Sequence, residues 1–341
     1  MHVLVSGGAG FLGSHLCETL VARGDSVVAV DDLSTGRTEN LAALNQHSRF
    51  RLVVADVTEP LGLDEPFDAV VHMASAASPA DYHRLPLETL RVGSRGTEVL
   101  LELAQRSRAR FVLASTSEVY GDPEVHPQRE DYWGHVNPNG PRSVYDEAKR
   151  YAEAVTAAYR RSHGVNTGIA RIFNTYGPRM RAIDGRVVTT FIAQALNGDP
   201  ITIYGDGSQT RSFCYVDDLI RGLIALVDAD VPGPINLGNP TERTVDSLAE
   251  LVIALARSSS RIEFHPLPQD DPTRRRPDIT LARQQLGWEP HVGILDGLEA
   301  TVRWFASRRD EVRAAATAIA GAQPTGPVLI VGSEMNTNEA A

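Results

Sequence analysis

The chain opens Met1-His2-Val3-Leu4-Val5-Ser6-Gly7-Gly8-Ala9-Gly10-Phe11-Leu12-Gly13, an apolar run that passes into glycines spaced Gly7-x-x-Gly10-x-x-Gly13 and then into an amphipathic stretch. A glycine triplet alone says little, but strand, turn and helix in that order form the first unit of a dinucleotide-binding sheet. Gly7 permits the tight turn, Gly10 lets the backbone approach a pyrophosphate, and Gly13 lets the helix lie close on the strand. Backbone N–H groups at the start of that helix then face the anion. A second apolar run, Ser26-Val27-Val28-Ala29-Val30, ends in Asp31-Asp32. Carboxylates roughly 20 residues past the glycines accept hydrogen bonds from an adenosine ribose and repel a 2′-phosphate. NAD is therefore expected over NADP, although the cation Arg37 stands close by.

Working outward, strand-like apolar runs recur at Val3–Val5, Val27–Val30, Leu52–Ala55, Ala69–His72, Phe111–Ala114 and Gly168–Arg171, with helical patterns before or between most of them. Such alternation predicts an α/β fold, a doubly wound parallel sheet of the Rossmann type with both faces covered. Helices are read at Ser14–Arg23, near Pro86–Arg106, and over Val144–His163, where Gly164 supplies a stop. Beyond Phe173 turns multiply, as at Tyr176-Gly177-Pro178, Gly205-Asp206-Gly207 and Gly238-Asn239-Pro240, which predicts a smaller, interleaved α+β substrate domain. Val216–Val227 reads as a helix and Pro234–Leu237 as a strand that return to the first domain. The expected division is 1–173 with 213–240 for the NAD-binding domain and 174–212 with 241–308 for the substrate domain. Residues 309–341 are expected to be a poorly ordered tail, its Val328–Val331 patch being too short to decide anything.

Composition bounds the function classes. With 341 residues, 42% of them apolar, the chain can bury a large core. A net charge of −10 and a pI near 5.5 argue against non-specific binding to nucleic acid or anionic membranes, though Arg274-Arg275-Arg276 forms a local basic cluster. Only Cys17 and Cys214 occur, which argues against a disulfide framework and fits a reducing compartment. No apolar stretch is long enough to span a membrane, and Met1 leads straight into a core strand, so a cytoplasmic location is expected. Histidines lack metal-site spacing, so His72, His126 and His135 are read as structural and no metal is expected.

Chemistry concentrates at two places. Tyr145 and Lys149 stand four apart in a helical pattern, so both side chains share one face. Tyrosine with a pKa of about 10 is a poor base at neutral pH; an adjacent ammonium is expected to stabilise the phenolate and lower that value. Such a phenolate takes a proton from a sugar hydroxyl while the carbon beneath releases hydride to nicotinamide. The pair is common by chance, and its weight comes from following a dinucleotide fingerprint. At the carboxyl end of the Phe111–Ala114 strand, where a doubly wound sheet opens its crevice, comes Ser115-Thr116-Ser117-Glu118-Val119-Tyr120-Gly121. Thr116 can bond the reacting hydroxyl, and Glu118 is either a second acid/base, a substrate-orienting carboxylate or a solvated turn acid.

These runs, with Gly140-Pro141-Arg142-Ser143-Val144-Tyr145-Asp146-Glu147, Arg171-Ile172-Phe173-Asn174-Thr175-Tyr176-Gly177-Pro178-Arg179-Met180 and Gly205-Asp206-Gly207-Ser208-Gln209-Thr210-Arg211-Ser212-Phe213, carry a family resemblance. From Val3 to about Trp304 the chain resembles the extended short-chain dehydrogenase/reductase superfamily and, within it, the UDP-glucuronate decarboxylases. The resemblance implies Tyr145 and Lys149 as the oxidising pair, with Thr116, Ser117 and Glu118 lining the sugar. It implies Asn174, Arg179 and Arg211 on the nucleotide diphosphate and ribose, joined by Thr190 and Tyr204. Phe11, Leu12, Asp56, Val57 and Ala74 would complete the cofactor pocket around Gly7, Gly10, Gly13, Asp31 and Asp32. In Asp270-Asp271-Pro272-Thr273-Arg274-Arg275-Arg276-Pro277-Asp278, Arg275 falls where the family faces the substrate carboxylate and can protonate C5 after carbon dioxide leaves; otherwise the triple arginine is an exposed basic loop. The implied reaction oxidises C4 of UDP-glucuronate, loses carbon dioxide from the β-keto acid and reduces C4 again to UDP-xylose, with NAD retained.

The chain departs from the family in His72-Met73-Ala74-Ser75-Ala76-Ala77-Ser78-Pro79, where His-Leu-Ala-Cys-Pro-Ala-Ser-Pro is usual, and in Thr189-Thr190-Phe191 for Ser-Asn-Phe. Smaller side chains there are expected to let some UDP-4-keto-pentose escape. A 4,6-dehydratase wants an aspartate where Ser117 stands, and a 4-epimerase must keep its carboxylate from leaving. A non-catalytic NAD-sensing protein of the same fold would not need Tyr145, Lys149 and Thr116. By resemblance alone, a homodimer paired through the Tyr145 helix and the helix near Pro86–Arg106 is expected.

Overall fold

The computed structural model describes residues 1–266 and 274–314. Its first part runs β1 (His2–Ser6), α1 (Phe11–Arg23), β2 (Ser26–Asp31), β3 (Phe50–Val54), β4 (Ala69–His72), α2 (Pro79–Arg84), α3 (Pro86–Arg91), α4 (Thr97–Ser107), β5 (Arg110–Thr116), α5 (Ser143–His163), β6 (Thr167–Ile172) and β7 (Thr175–Tyr176). There follow α6 (Val187–Asn197), β8 (Ile201–Tyr204), β9 (Thr210–Ser212), β10 (Cys214–Tyr215), α7 (Val216–Asp228), β11 (Ile235–Leu237), β12 (Glu242–Thr244), α8 (Val245–Ala256), β13 (Ile262–His265), β14 (Arg274–Arg275), α9 (Thr280–Leu286) and α10 (Ile294–Ala306).

Seven strands form one parallel sheet in the order β11-β6-β5-β4-β1-β2-β3. Central strands are apolar along their whole length because helices cover both faces. The period of two divides their side chains: Val3, Val5, Ala29, Val71 and Val112 join one core with α1 and α7, while Leu4, Val28, Val70, Phe111 and Leu113 join another with α4. Each fully buried residue of this size contributes about 1.5–3 kcal/mol of transfer free energy. Strand order reverses between β1 and β4, where Ser6 lies opposite His72, so the sheet opens its crevice beyond those two ends.

The segment expected as one helix near Pro86–Arg106 is helical throughout, a single turn of π-helix over Val92–Gly96, which carries two poor helix formers, joining α3 to α4. Ahead of it, Pro86 drives Leu85 off helical geometry (φ −125°, ψ 55°) and separates α2 from α3. Beyond β7 the chain builds a second lobe. In it β8 pairs with β13, and β12, β9 and β14 form a three-stranded sheet. Registers there set Arg243 and Arg275 on either side of Arg211. α7 and β11 return to the large sheet, β11 pairing with β6. Residues 309–314 are helical, with Val312 buried and Glu311 paired to Arg37 at 2.5 Å. The rest of the expected tail, including Val328–Val331, and Asp270, Asp271, Pro272 and Thr273 of the basic loop lie outside the described residues. Among the described residues no helix is long and apolar enough to cross a membrane, and Cys17 and Cys214 are both buried, free thiols.

Candidate active site

The glycine turn follows directly from β1. Gly7 sits at φ +71°, its N–H donating to the Val30 carbonyl at 2.7 Å, and a Cβ there would lie 2.8 Å from the Ala74 nitrogen. A Cβ on Gly13 would collide with the Gly7 carbonyl oxygen. The Asp31 carboxylate ties this turn to the end of β2, accepting from the Ala9 and Leu33 N–H groups, each at 2.9 Å. Burial raises the Asp31 pKa. Asp32 accepts from the Ser34 N–H and hydroxyl at 2.9 and 2.7 Å.

One continuous cleft runs along the carboxyl ends of the sheet. The residues expected around a cofactor, Gly7, Gly10, Phe11, Leu12, Gly13, Asp31, Asp32, Asp56, Val57 and Ala74, all line it. So do Thr116, Ser117, Glu118, Tyr145, Lys149, Asn174 and Arg179. Arg179 crosses toward α1, where it pairs with Glu18, and its Nη1 is buried without a partner. A Cβ-free turn and an unused cationic donor in the same cleft fit a dinucleotide with its pyrophosphate over the start of α1.

At the other end of the cleft β5 delivers Thr116, whose hydroxyl accepts from the Glu118 N–H at 3.2 Å and meets the Tyr145 phenol. Tyr145 is buried and stacks on Tyr82, ring centroids 5.4 Å apart and 9° from parallel. Here the structure corrects the expectation that Lys149 lowers the Tyr145 pKa. Burial, then the Glu118 charge, push that phenol above its ordinary range. Lys149 is turned elsewhere: Nζ donates to the Ala114 carbonyl at 2.8 Å and lies 5.9 Å from the Tyr145 ring centre. Burial lowers Lys149 itself to about 8, with Glu153 opposing the shift.

Glu118 is no solvated turn acid. Arg142 donates to its Oε2 at 2.6 Å and Arg275 donates to its Oε1. Burial would raise this carboxyl, but Arg275 and Arg142 together hold it down at about 2. Arg275 is 5% exposed, which rules out the exposed-loop alternative, and also donates to the Gly121 carbonyl at 3.2 Å. It reaches this point from β14 in the second lobe, although it is not among the cleft-lining residues.

Thr190, Tyr204 and Arg211 are not brought to the cleft wall. Thr190 is half-buried on α6, and Tyr204 on β8 is 44% exposed beside His265. Arg211 donates to the Thr210 carbonyl at 2.9 Å next to Arg275.

Residues 3–238 match the model of the NAD dependent epimerase/dehydratase family. The chain belongs to that family. Among its relatives is a UDP-glucuronic acid decarboxylase 1 of Danio rerio, 52% identical over 303 residues, which cover 89% of this chain and 72% of the relative. A UDP-glucuronic acid decarboxylase 1 of Arabidopsis thaliana is 52% identical over 308 residues, 90% of this chain and 70% of the relative. Of solved epimerase/dehydratase structures, the UDP-glucuronic acid 4-epimerase of Bacillus cereus with UDP-glucuronic acid and NAD superposes with a TM-score of 0.80 at 29% identity, covering 90% of this chain and all of that one (100%).

Sequence reading assigned no part to Arg142, Tyr82 or Asp146. Arg142 was visible three residues before Tyr145, but nothing in a linear pattern says that it meets Glu118. Asp146 is buried, its Oδ1 has no partner, and burial followed by the Glu118 charge pushes it up to about 7.

Proposed function

We propose that the chain is an NAD-dependent UDP-glucuronate decarboxylase that forms UDP-xylose through a 4-keto intermediate. The observation that carries this reading is the meeting of Arg275, from the second lobe, with Glu118 beside Tyr145 and Thr116, in a chain about half identical to decarboxylases over nearly its whole length. When bound, NAD would supply the hydride acceptor and a positive charge. Tyr145 must lose its own proton before it can take that of the C4 hydroxyl, a loss that burial opposes and that the positive charges of Lys149 and of bound NAD would favour, while Thr116 hydrogen-bonds the same hydroxyl. Glu118, ionised at any working pH, serves as an orienting carboxylate rather than a proton donor. Arg275 faces the substrate carboxylate, whose electrons pass into the C4 carbonyl as carbon dioxide leaves. C5 takes the proton that the resemblance assigns to Arg275, and reduced cofactor, when bound, would return the hydride to C4, so that no net redox change results.

The unusual stretch at Ser75-Ala76-Ala77 lines the cleft, which supports a partial escape of UDP-4-keto-xylose before the second hydride transfer. Thr189 instead bonds the Arg186 carbonyl at 2.8 Å inside α6. Reduced, buried Cys17 and Cys214 support a cytoplasmic setting. Exposed Leu87, Leu90 and Tyr151 on α3 and α5 support a homodimer through those helices, to be checked by the mass in solution.

The test is incubation of the purified protein with UDP-glucuronate and no added NAD, read by mass spectrometry and NMR of the product. Loss of carbon dioxide is the expected result, with UDP-xylose marking a closed cycle and a hydrated 4-ketone a leaking one. Unchanged mass with a galacturonate product would make the chain a 4-epimerase instead.

A further inference from the structure

Two guanidinium groups share one carboxylate at the end of β5, and they are not equivalent. Arg142 caps the start of α5, one turn ahead of Tyr145, and is therefore fixed to the element that carries Tyr145 and Lys149. Its guanidinium takes Glu118 Oε2 at 2.6 Å. Arg275 comes from the three-stranded sheet of the second lobe and is held beside the cleft-lining Glu118, donating to its Oε1 and to the Gly121 carbonyl, while its Nε is buried with no partner. Both cations pair with Glu118, which is only 14% exposed, and the buried Asp146 is a second acid of the same site, ionising at about pH 7.

We propose that Arg142 is the standing counter-ion of Glu118, a positioning residue that keeps this carboxylate in place while Arg275 changes partner from Glu118 to the carboxylate of the substrate. The proposal rests on the decarboxylase reading for the identity of that substrate. The charge argument runs in one direction. While Asp146 is protonated, below about pH 7, the two arginines carry one charge more than Glu118 offsets, and a sugar carboxylate entering the cleft neutralises it. Arg275 is the one with donors to offer, because its Nε is unused and because releasing it leaves Glu118 still paired. If Arg142 were absent, freeing Arg275 would strand a buried carboxylate without a partner, which is strongly unfavourable. Glu118 would then keep Arg275 for itself. Other groups face Glu118 as well: Tyr145 and Asp146 from α5 and Tyr82 from α2, none of which supplies a positive charge.

The same geometry explains why the arginine sits on α5 rather than on a loop. Arg142 at the N-cap and Tyr145 and Lys149 in the first two turns belong to one helix, so the carboxylate that Arg142 holds is kept in register with the phenol. Tyr82, which stacks on Tyr145, also feels the Arg142 charge and closes the group on its far side.

The experiment compares wild type with Arg142→Gln and Arg142→Lys, using UDP-glucuronate, UDP-glucose and UDP as probes in binding titrations of NAD-loaded protein. Arg142→Gln is expected to weaken UDP-glucuronate about tenfold or more, the scale of one charge-assisted hydrogen bond, while UDP and UDP-glucose, which lack the carboxylate, stay within about twofold. Arg142→Lys is expected to recover most of the loss. In turnover, the acid limb of kcat/KM that Glu118 keeps below the working pH range in the wild type should rise toward it for Arg142→Gln, because Glu118 has lost one of the two cations that hold it ionised. Equal weakening of all three probes would show a merely structural role and overturn the proposal. So would unchanged UDP-glucuronate affinity with an unchanged acid limb, or a lysine variant no better than the glutamine one. Wild-type protein that binds UDP-glucuronate more tightly than UDP-glucose yet releases no carbon dioxide would overturn the decarboxylase reading alone, since the binding comparison still decides the role of Arg142.

Discussion

Glu118 and Asp146 face one another across the site as two carboxylates with opposite surroundings. Glu118 is pulled down to about 2 by two arginines, whereas Asp146 is buried with an unpartnered oxygen, feels Glu118, and rises to about 7. For Asp146 the folded-state value exceeds the ordinary 3.8, so ionising it opposes folding; the penalty is absent below about pH 3.8 and complete above about pH 7. Asp146→Asn should therefore raise the Tm at pH 8 by several degrees, with the gain shrinking toward pH 4. A thermal series across that range checks it, and a gain constant with pH would remove the titration as its cause. Lys149 gives a second expectation. Its folded-state value of about 8 means that the free enzyme loses this ammonium as pH rises through 8, while Tyr145 stays protonated there because burial holds its phenol above the ordinary range. The kcat/KM profile should show a basic limb near pH 8, which reports the free enzyme.

α5 works as a single rigid bracket. Successive turns present Arg142 to Glu118, Tyr145 to Thr116, Lys149 to the Ala114 carbonyl and Glu153 to the Ser115 hydroxyl at 2.6 Å. Arg171 from β6 clamps the same Glu153 at 3.0 and 2.8 Å, so helix, β5 and β6 are fastened together directly beneath the chemistry. The opposite wall depends on how closely α1 approaches β1. Gly13→Ala puts a methyl group into the Gly7 carbonyl, and the turn must shift to accept it. Loss of NAD affinity by at least tenfold together with a lower Tm is the expected outcome, read by cofactor titration and thermal unfolding. Retention of both would mean that the turn yields without consequence for the cofactor.

Across the whole molecule, one buried cluster extends from Val3 and Leu20 through Leu219 and Phe191 to Leu248, Leu298 and Phe305. The two lobes thus share a core instead of meeting across a polar seam, and α7 with β11 threads back between them. Residues 1–306 should consequently unfold in a single cooperative transition, with calorimetric and van't Hoff enthalpies in agreement. Two separated heat-absorption peaks for the ligand-free protein would contradict the shared core. The ion pair of Glu118 with Arg275 spans the same two lobes and lies where the substrate is proposed to enter.

The doubly wound sheet, the glycine turn and the Tyr145/Lys149 pair were legible because each is local: alternation of apolar runs, glycines at 7, 10 and 13, and a spacing of four on one helix. Pro86 already marks the start of the helical run of α3 and α4 in the sequence, since a proline restricts the residue before it whatever surrounds it. The protonation states were not legible, because they depend on how much water each group loses and which charges the fold brings near. Lys149 stands four residues from Tyr145 in the chain, yet its ammonium turns to the Ala114 carbonyl, and Glu118, 27 residues earlier, acts on the phenol instead. Arg275 and Glu118 are separated by 157 positions, Arg142 and Glu118 by 24, and only the packing of β14 and α5 around the end of β5 makes them one charged group. The sequence by itself determined the fold and the chemical inventory, through short-range pattern; tertiary structure alone decided which charges meet, because electrostatic partners are set by distance in space and by burial.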